Sequence, residues 1–225
     1  MIQISNIPLP LEGGEEQLRK KAGRILGLRP GQIERIDLVR QSIDARRKSD
    51  VHYVCTVRVS VAGEEKVLAR CRDKNVTAWR AEPYVFPPVR RTSPLPPVVV
   101  GMGPAGLFAA LFLARAGLPP VVLERGRPVE ERTEDVERFW ATGQLSRASN
   151  VQFGGGGAGT SSDGKPTPGT HDGRIPAVLS ALVEFGAPAD IVWSHKPHIG
   201  TDMLRTEVKN LRQGLRRLGC GGRFG

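Results

Sequence analysis

The sequence has little of what would place it in several common classes. Its three cysteines, Cys55, Cys71 and Cys220, form neither a metal-binding pair nor a C-x-x-C motif. His195 and His198 are separated by Lys196 and Pro197, so they do not make a helical metal pair. No metal site is therefore expected. No run approaches the roughly twenty apolar residues that a membrane-spanning helix needs, so no membrane partner is expected. The start, Met1-Ile2-Gln3-Ile4-Ser5, lacks the basic-then-apolar signature of a secretory leader. Together these absences predict reduced thiols and a cytoplasmic location. Aromatic residues make up 5% of the chain, and no internal repeat is present. Apolar residues, at 39%, are on the low side but sufficient for a core.

Acidic residues are also in deficit, leaving a formal charge of +10. Residues 1–96 hold 18 basic and 11 acidic side chains, whereas residues 97–225 hold 15 and 12. The basic excess therefore lies mainly in the first part. Contact with a nucleic acid or another anion is one reading. No RNP, zinc-finger or helix-turn-helix pattern accompanies the charge, so a solvated basic surface is the preferred one and nucleic acid is not the expected partner.

The most informative stretch is residues 97–126. Val98-Val99-Val100 reads as a buried parallel strand. Gly101-Met102-Gly103-Pro104-Ala105-Gly106 follows and fits G-x-G-x-x-G at a strand-to-helix turn. In such a turn Gly101 makes the bend, Gly103 lets backbone approach a diphosphate, and Gly106 lets the helix pack on the strand. Pro104 suits the first helical position, where its missing N–H is not needed. The helix dipole and free N–H groups there, including that of Ala105, favour an anion. Leu107, Ala110, Leu111 and Ala114 share one face of the predicted helix, which stops at Gly117. Residues 121–123 form the next strand, ending at Glu124. A carboxylate there accepts hydrogen bonds from ribose hydroxyls and repels a 2′-phosphate, unless Arg125 overrides it. The full context predicts a dinucleotide site.

Before this motif, residues 1–83 read as a small α+β module. It has an edge or half-buried strand over 1–7, a turn over 8–14, a helix over 15–26 and strands over 36–39 and 53–61. The run Arg46-Arg47-Lys48 between those strands reads as a solvated loop. Residues 84–96 are a Pro-rich linker. After the motif, helices are predicted over 129–140 and 175–185. A further helix starts near Asp202, as N-cap, and carries Leu204, Val208, Leu211, Leu215 and Leu218 on a core face. The glycine-rich segment from Gly154 through Gly156, Gly157 and Gly159 to Lys165 is either a flexible linker or a nest of N–H groups facing a cofactor.

Residues 98–126 resemble the FAD-binding start of flavoproteins with two dinucleotide-binding domains. Five further stretches resemble a family of bacterial FAD-dependent dehydrogenases. They are residues 42–48, Asn150-Val151-Gln152-Phe153-Gly154, Gly156-Gly157-Ala158-Gly159-Thr160, Ser162-Asp163-Gly164-Lys165 and residues 196–202. Gly155 stands where that family usually has glutamate, Ser161 where it has an aromatic residue, and Pro166 and Pro168 where it has other residues. The resemblance implies an α/β chain with an incomplete Rossmann-like FAD-binding domain over 97–225, preceded by the α+β module. It also implies FAD as cofactor, and an oxidoreductase passing a hydride from an unidentified small-molecule donor or substrate through the flavin. Family members are longer, so a truncated chain is expected. Candidate cofactor contacts are Gly101, Gly103, Pro104, Ala105, Gly106 and Glu124, then Arg125, Gly156, Gly157 and Lys165. No catalytic residue is assigned. The rivals are an NAD-dependent dehydrogenase, a basic nucleic-acid-binding module with a vestigial nucleotide fold, and an inactive truncated product.

Overall fold

The computed structural model describes residues 1–80, 84–161, 172–194 and 199–225. It is a mixed α/β structure in two units, one comprising Met1–Pro83 with Val192–Pro197 and the other Tyr84–Ile191 with His198–Gly225.

The first unit is built on an antiparallel sheet of order β2-β3-β1-β4. Its strands are β1 (Ile2–Pro10), β2 (Ile33–Asp44), β3 (His52–Val61) and β4 (Val76–Ala78). β1 is not an edge strand, because it pairs with β3 on one side and β4 on the other. It also runs through Pro8–Pro10, where the sequence suggests a turn. Asn6 adopts φ 59° where the β1–β3 register shifts between Ile4 and Ile7. That bulge resets the two-residue alternation, so Ile2, Ile4, Ile7 and Leu9 all reach the core despite the odd spacing. From β3, Cys55, Val57, Val59 and Val61 meet them at strict alternation. Helix α1 (Glu15–Leu26) covers the sheet with Leu18, Ala22 and Leu26 and ends at Gly27, φ 66°. The short helix α2 (Glu64–Arg70) precedes β4. Arg46, Arg47 and Lys48 are exposed.

The second unit holds a parallel sheet of order β5-β6-β7, with β5 (Val98–Val100), β6 (Val121–Glu124) and β7 (Gly221–Phe224). β5 is parallel, as its sequence suggests, but it is not buried. Val98 is 59% and Val100 83% exposed, because strand side chains alternate between faces and these two share with Leu123 of β6 the sheet face opposite the packed Val99 and Val122. Helix α3 (Pro104–Arg115) follows β5 and buries Leu107, Ala110, Leu111 and Ala114, the four residues that share a face in the sequence. Three more helices, α4 (Val129–Thr142), α5 (Ile175–Glu184) and α6 (Thr201–Arg217), lie between β6 and β7. Helix α6 is capped by Gly200, with Asp202 inside the first turn and not at the cap. Its Val208, Leu211 and Leu215 join the core, while Leu218 is 41% exposed. Helices α4 and α6 are tied by Arg212 to Glu130 at 2.6 Å. Among the described residues no helix is long and apolar enough to cross a membrane.

One charged residue of α6 sits on its buried face. Glu207 is 2% exposed, and burial pushes its pKa from 4.5 to about 7. The unfolded chain releases this proton near 4.5 and the folded chain near 7. Stability is therefore full below 4.5, falls as pH climbs between the two values, and levels off above 7. Urea unfolding of the second unit across this range should show Glu207→Gln and wild type alike near pH 4.5. The variant should be more stable by about 3 kcal/mol above pH 7.5, at roughly 1.4 kcal/mol per pK unit. A pH-independent difference would remove Glu207 as the source.

Candidate functional site

In open parallel α/β sheets, ligands bind in the crevice outside the C-terminal strand ends. In this chain a cleft of about 460 Å³ lies there, lined by Val100 at the end of β5 with Gly101 and Gly103 after it, and by Leu123 and Glu124 of β6 with Arg125 after them. Gln152, Phe153, Gly154 and Gly157 form the opposing wall. The volume is within the usual range for small-molecule sites.

The three motif glycines serve different needs. Gly101 has φ 97°, a backbone state that residues with a Cβ rarely adopt. Gly106 is held by packing, since a Cβ there would overlap the Gly101 carbonyl. Gly103 is extended, at φ −76° and ψ −177°, and a Cβ there would lie 3.9 Å from Gly157 Cα, an ordinary contact. The fold therefore leaves room for a methyl group at Gly103. Gly103 is also the N-cap of α3 and provides no side-chain cap, so the first-turn amides of the helix lack a capping acceptor from it. Pro104 and Ala105 are exposed at that N-terminus.

Glu124 is buried and binds inward. Its Oε2 accepts from Met102 N at 2.7 Å, and its Oε1 from Gly126 N at 2.9 Å and Gly154 N at 3.2 Å. One carboxylate thus fastens the motif turn, the end of β6 and the glycine-rich segment together. Arg125 turns the other way and lays its guanidinium over the Phe153 ring, 3.8 Å from the centroid.

The glycine-rich segment is neither a linker nor an N–H nest over Gly154–Gly157, because those amides are bonded within the protein. Gly154 N goes to Glu124, Gly155 N to Arg127 O, Gly156 N to Met102 O and Gly157 N to Gly154 O. What Gly157 offers the cleft is close backbone approach, since a Cβ on it would come within 3.2 Å of Gly103 Cα. Gly156 lies off the cleft, against Val208. Lys165 falls outside the described residues, as do His195 and His198.

The carbonyls of this segment converge on one side chain that motif reading does not single out. Arg132 of α4 is 1% exposed. Its Nε donates to Asn150 O at 2.9 Å and its Nη2 to Val151 O at 2.8 Å. Its Nη1 reaches Gly155 O at 3.2 Å, Gly157 O at 2.7 Å and Thr160 Oγ1 at 2.8 Å. Burial lowers its pKa and the nearby Glu124 charge raises it. The sequence carries a signal for this role, because Arg132 stands three residues after Val129 and four before Val136, on the face those two valines bury.

Arg132→Met keeps much of the side-chain volume and removes the donors. It should destabilise the second unit by on the order of 3 kcal/mol, as carbonyls formerly bonded to a charged donor are left buried. Hydrogen exchange at the amides of Gly155 and Gly157 should accelerate more than exchange in α3. Unchanged protection there would show that the loop holds its shape without the arginine.

Two sequence similarities accompany this geometry. Residues 1–60 match a domain of unknown function, DUF8436. An uncharacterized protein of Clostridium beijerinckii is 44% identical over 227 residues, an alignment that covers 97% of this chain. The chain spans 41% of the length of that curated relative.

Proposed function

We propose that this chain carries the nucleotide-binding portion of an FAD-dependent oxidoreductase, with a Rossmann-like arrangement around β5, α3 and β6. The observation that carries the reading is the cleft at the strand ends, which gathers Gly103, the N-terminus of α3 and the Glu124 carboxylate. The resemblance of residues 98–126 to flavoprotein FAD-binding segments supports it.

The donor set suits an adenosine diphosphate group. Gly103 puts no side chain between the α3 N-terminus and the cleft, and helix N-termini favour phosphate. Oε2 of Glu124 takes one protein amide, which leaves acceptor capacity for a sugar hydroxyl. The stacked Arg125 and Phe153 offer a flat cationic surface beside it. Bound flavin would supply hydride and electron transfer, with a small-molecule donor as the expected substrate. The residues described here would bind and orient the nucleotide and exclude a 2′-phosphate.

Gly103 is the cleanest probe, because Glu124 also braces the fold. Titration of the 225-residue chain with FAD, followed by flavin fluorescence, should give saturable binding. Gly103→Val should weaken it by about tenfold or more, through blocked phosphate approach, while costing the fold no more than the about 1 kcal/mol expected for losing an N-cap glycine. Gly106→Ala should instead destabilise the fold itself by about 1–3 kcal/mol through overpacking. Absence of FAD binding by the wild-type chain at millimolar flavin would defeat the reading. NAD competing as well as unlabelled FAD would favour a nicotinamide dehydrogenase.

A further inference from the structure

The second unit contains another cavity, of about 60 Å³, that shares no lining residue with the cleft. Its wall is apolar, with Leu107 and Phe108 from α3, Leu182 and Phe185 from α5, and Leu204 and Leu211 from α6. Glu207 also lines it, and neither carboxyl oxygen has a hydrogen-bond partner among the described residues. A buried carboxyl without a donor is a costly arrangement in a folded chain. The lining residues contribute no cation and no second titratable group, and desolvation is the sole perturbation acting on Glu207.

From this geometry we infer that the cavity is a binding site for a small organic cation, a primary alkylammonium whose head bonds Glu207 and whose chain contacts the apolar wall. The head supplies the donors that both oxygens lack. Its charge matches the carboxylate, and the aromatic side chains of Phe108 and Phe185 are part of the wall. A neutral hydrocarbon would leave the carboxyl unsatisfied, and an anion would be repelled. The volume admits about four to six water-sized atoms, which sets the size class. The site stands whether or not the cleft takes FAD.

The probe is n-butylammonium, titrated calorimetrically into the full 225-residue chain at pH 8. Saturable binding with a dissociation constant of about 0.1–10 mM is expected for so small a ligand. Glu207→Gln should weaken it at least tenfold. On the wild-type chain, n-butanol should bind at least tenfold more weakly than the amine, which isolates the charge without any variant. At pH 6, where Glu207 holds its proton in the free protein, binding should release about one proton per event, read from the dependence of the heat on buffer ionisation. Lack of saturable binding to wild type, equal affinity for the folded Gln variant, or equal affinity for n-butanol would each overturn the inference.

Discussion

The second unit depends on how one glycine-rich turn satisfies its buried backbone. Gly154, Gly155 and Gly156 are buried, and buried peptide groups must find partners. Two side chains of opposite sign divide that work. Glu124 takes amide hydrogens, including those of Met102 and Gly154, and Arg132 takes the carbonyls of Asn150, Val151, Gly155 and Gly157. The two charges also stabilise each other across the segment. A stretch with the highest backbone entropy in the chain is thereby fixed as a wall of the cleft. Position alone would not achieve this, since glycines favour no single backbone state.

The three glycines of the motif turn answer to different physical demands. Gly101 answers a conformational demand and Gly106 a packing demand, so both are needed for the chain to fold with or without a ligand. Gly103 answers neither, because its backbone is extended and its surroundings admit a methyl group. Of the three motif glycines it is therefore the one whose replacement by alanine the surrounding protein accommodates.

The sequence made the regular elements of this unit readable and hid its charged interior. Helices α3 and α5 stand out because their apolar residues keep helical spacing, α4 because its residues are polar and helix-prone, and a glycine follows each end. α2, β4 and β7 have seven, three and four residues, too few for periodicity to emerge. The β1 bulge was hidden for a different reason. Asn6 breaks the alternation, and a broken alternation reads as an edge. Arg132 and Glu207 share a third reason. Each occupies an apolar-face position on an amphipathic helix, between Val129 and Val136 or between Leu204 and Leu211, and a charge in a mostly polar helix passes for a solvated one. Helical position, rather than residue type, is the cue that separates them from their exposed neighbours. In the motif itself, the position of Glu124 was legible, but its three amide partners depend on where Gly126 and Gly154 fold back.

The edge of β5 has a consequence for the behaviour of the molecule in concentrated solution. Among the described residues one side of β5 has no partner strand, and such a side presents a row of peptide groups to any strand that meets it, with Val98 and Val100 adding apolar contact. Pro96 and Pro97, directly before the strand, cannot donate and so shorten the usable ladder. The other restraint is colloidal. At a formal +10, copies repel one another over a distance set by the ionic atmosphere, about 8 Å at physiological salt and about 30 Å at 0.01 M. Added electrolyte weakens that repulsion while leaving the edge unchanged, so self-association of this chain should rise with ionic strength, the opposite of an assembly held together by ion pairs.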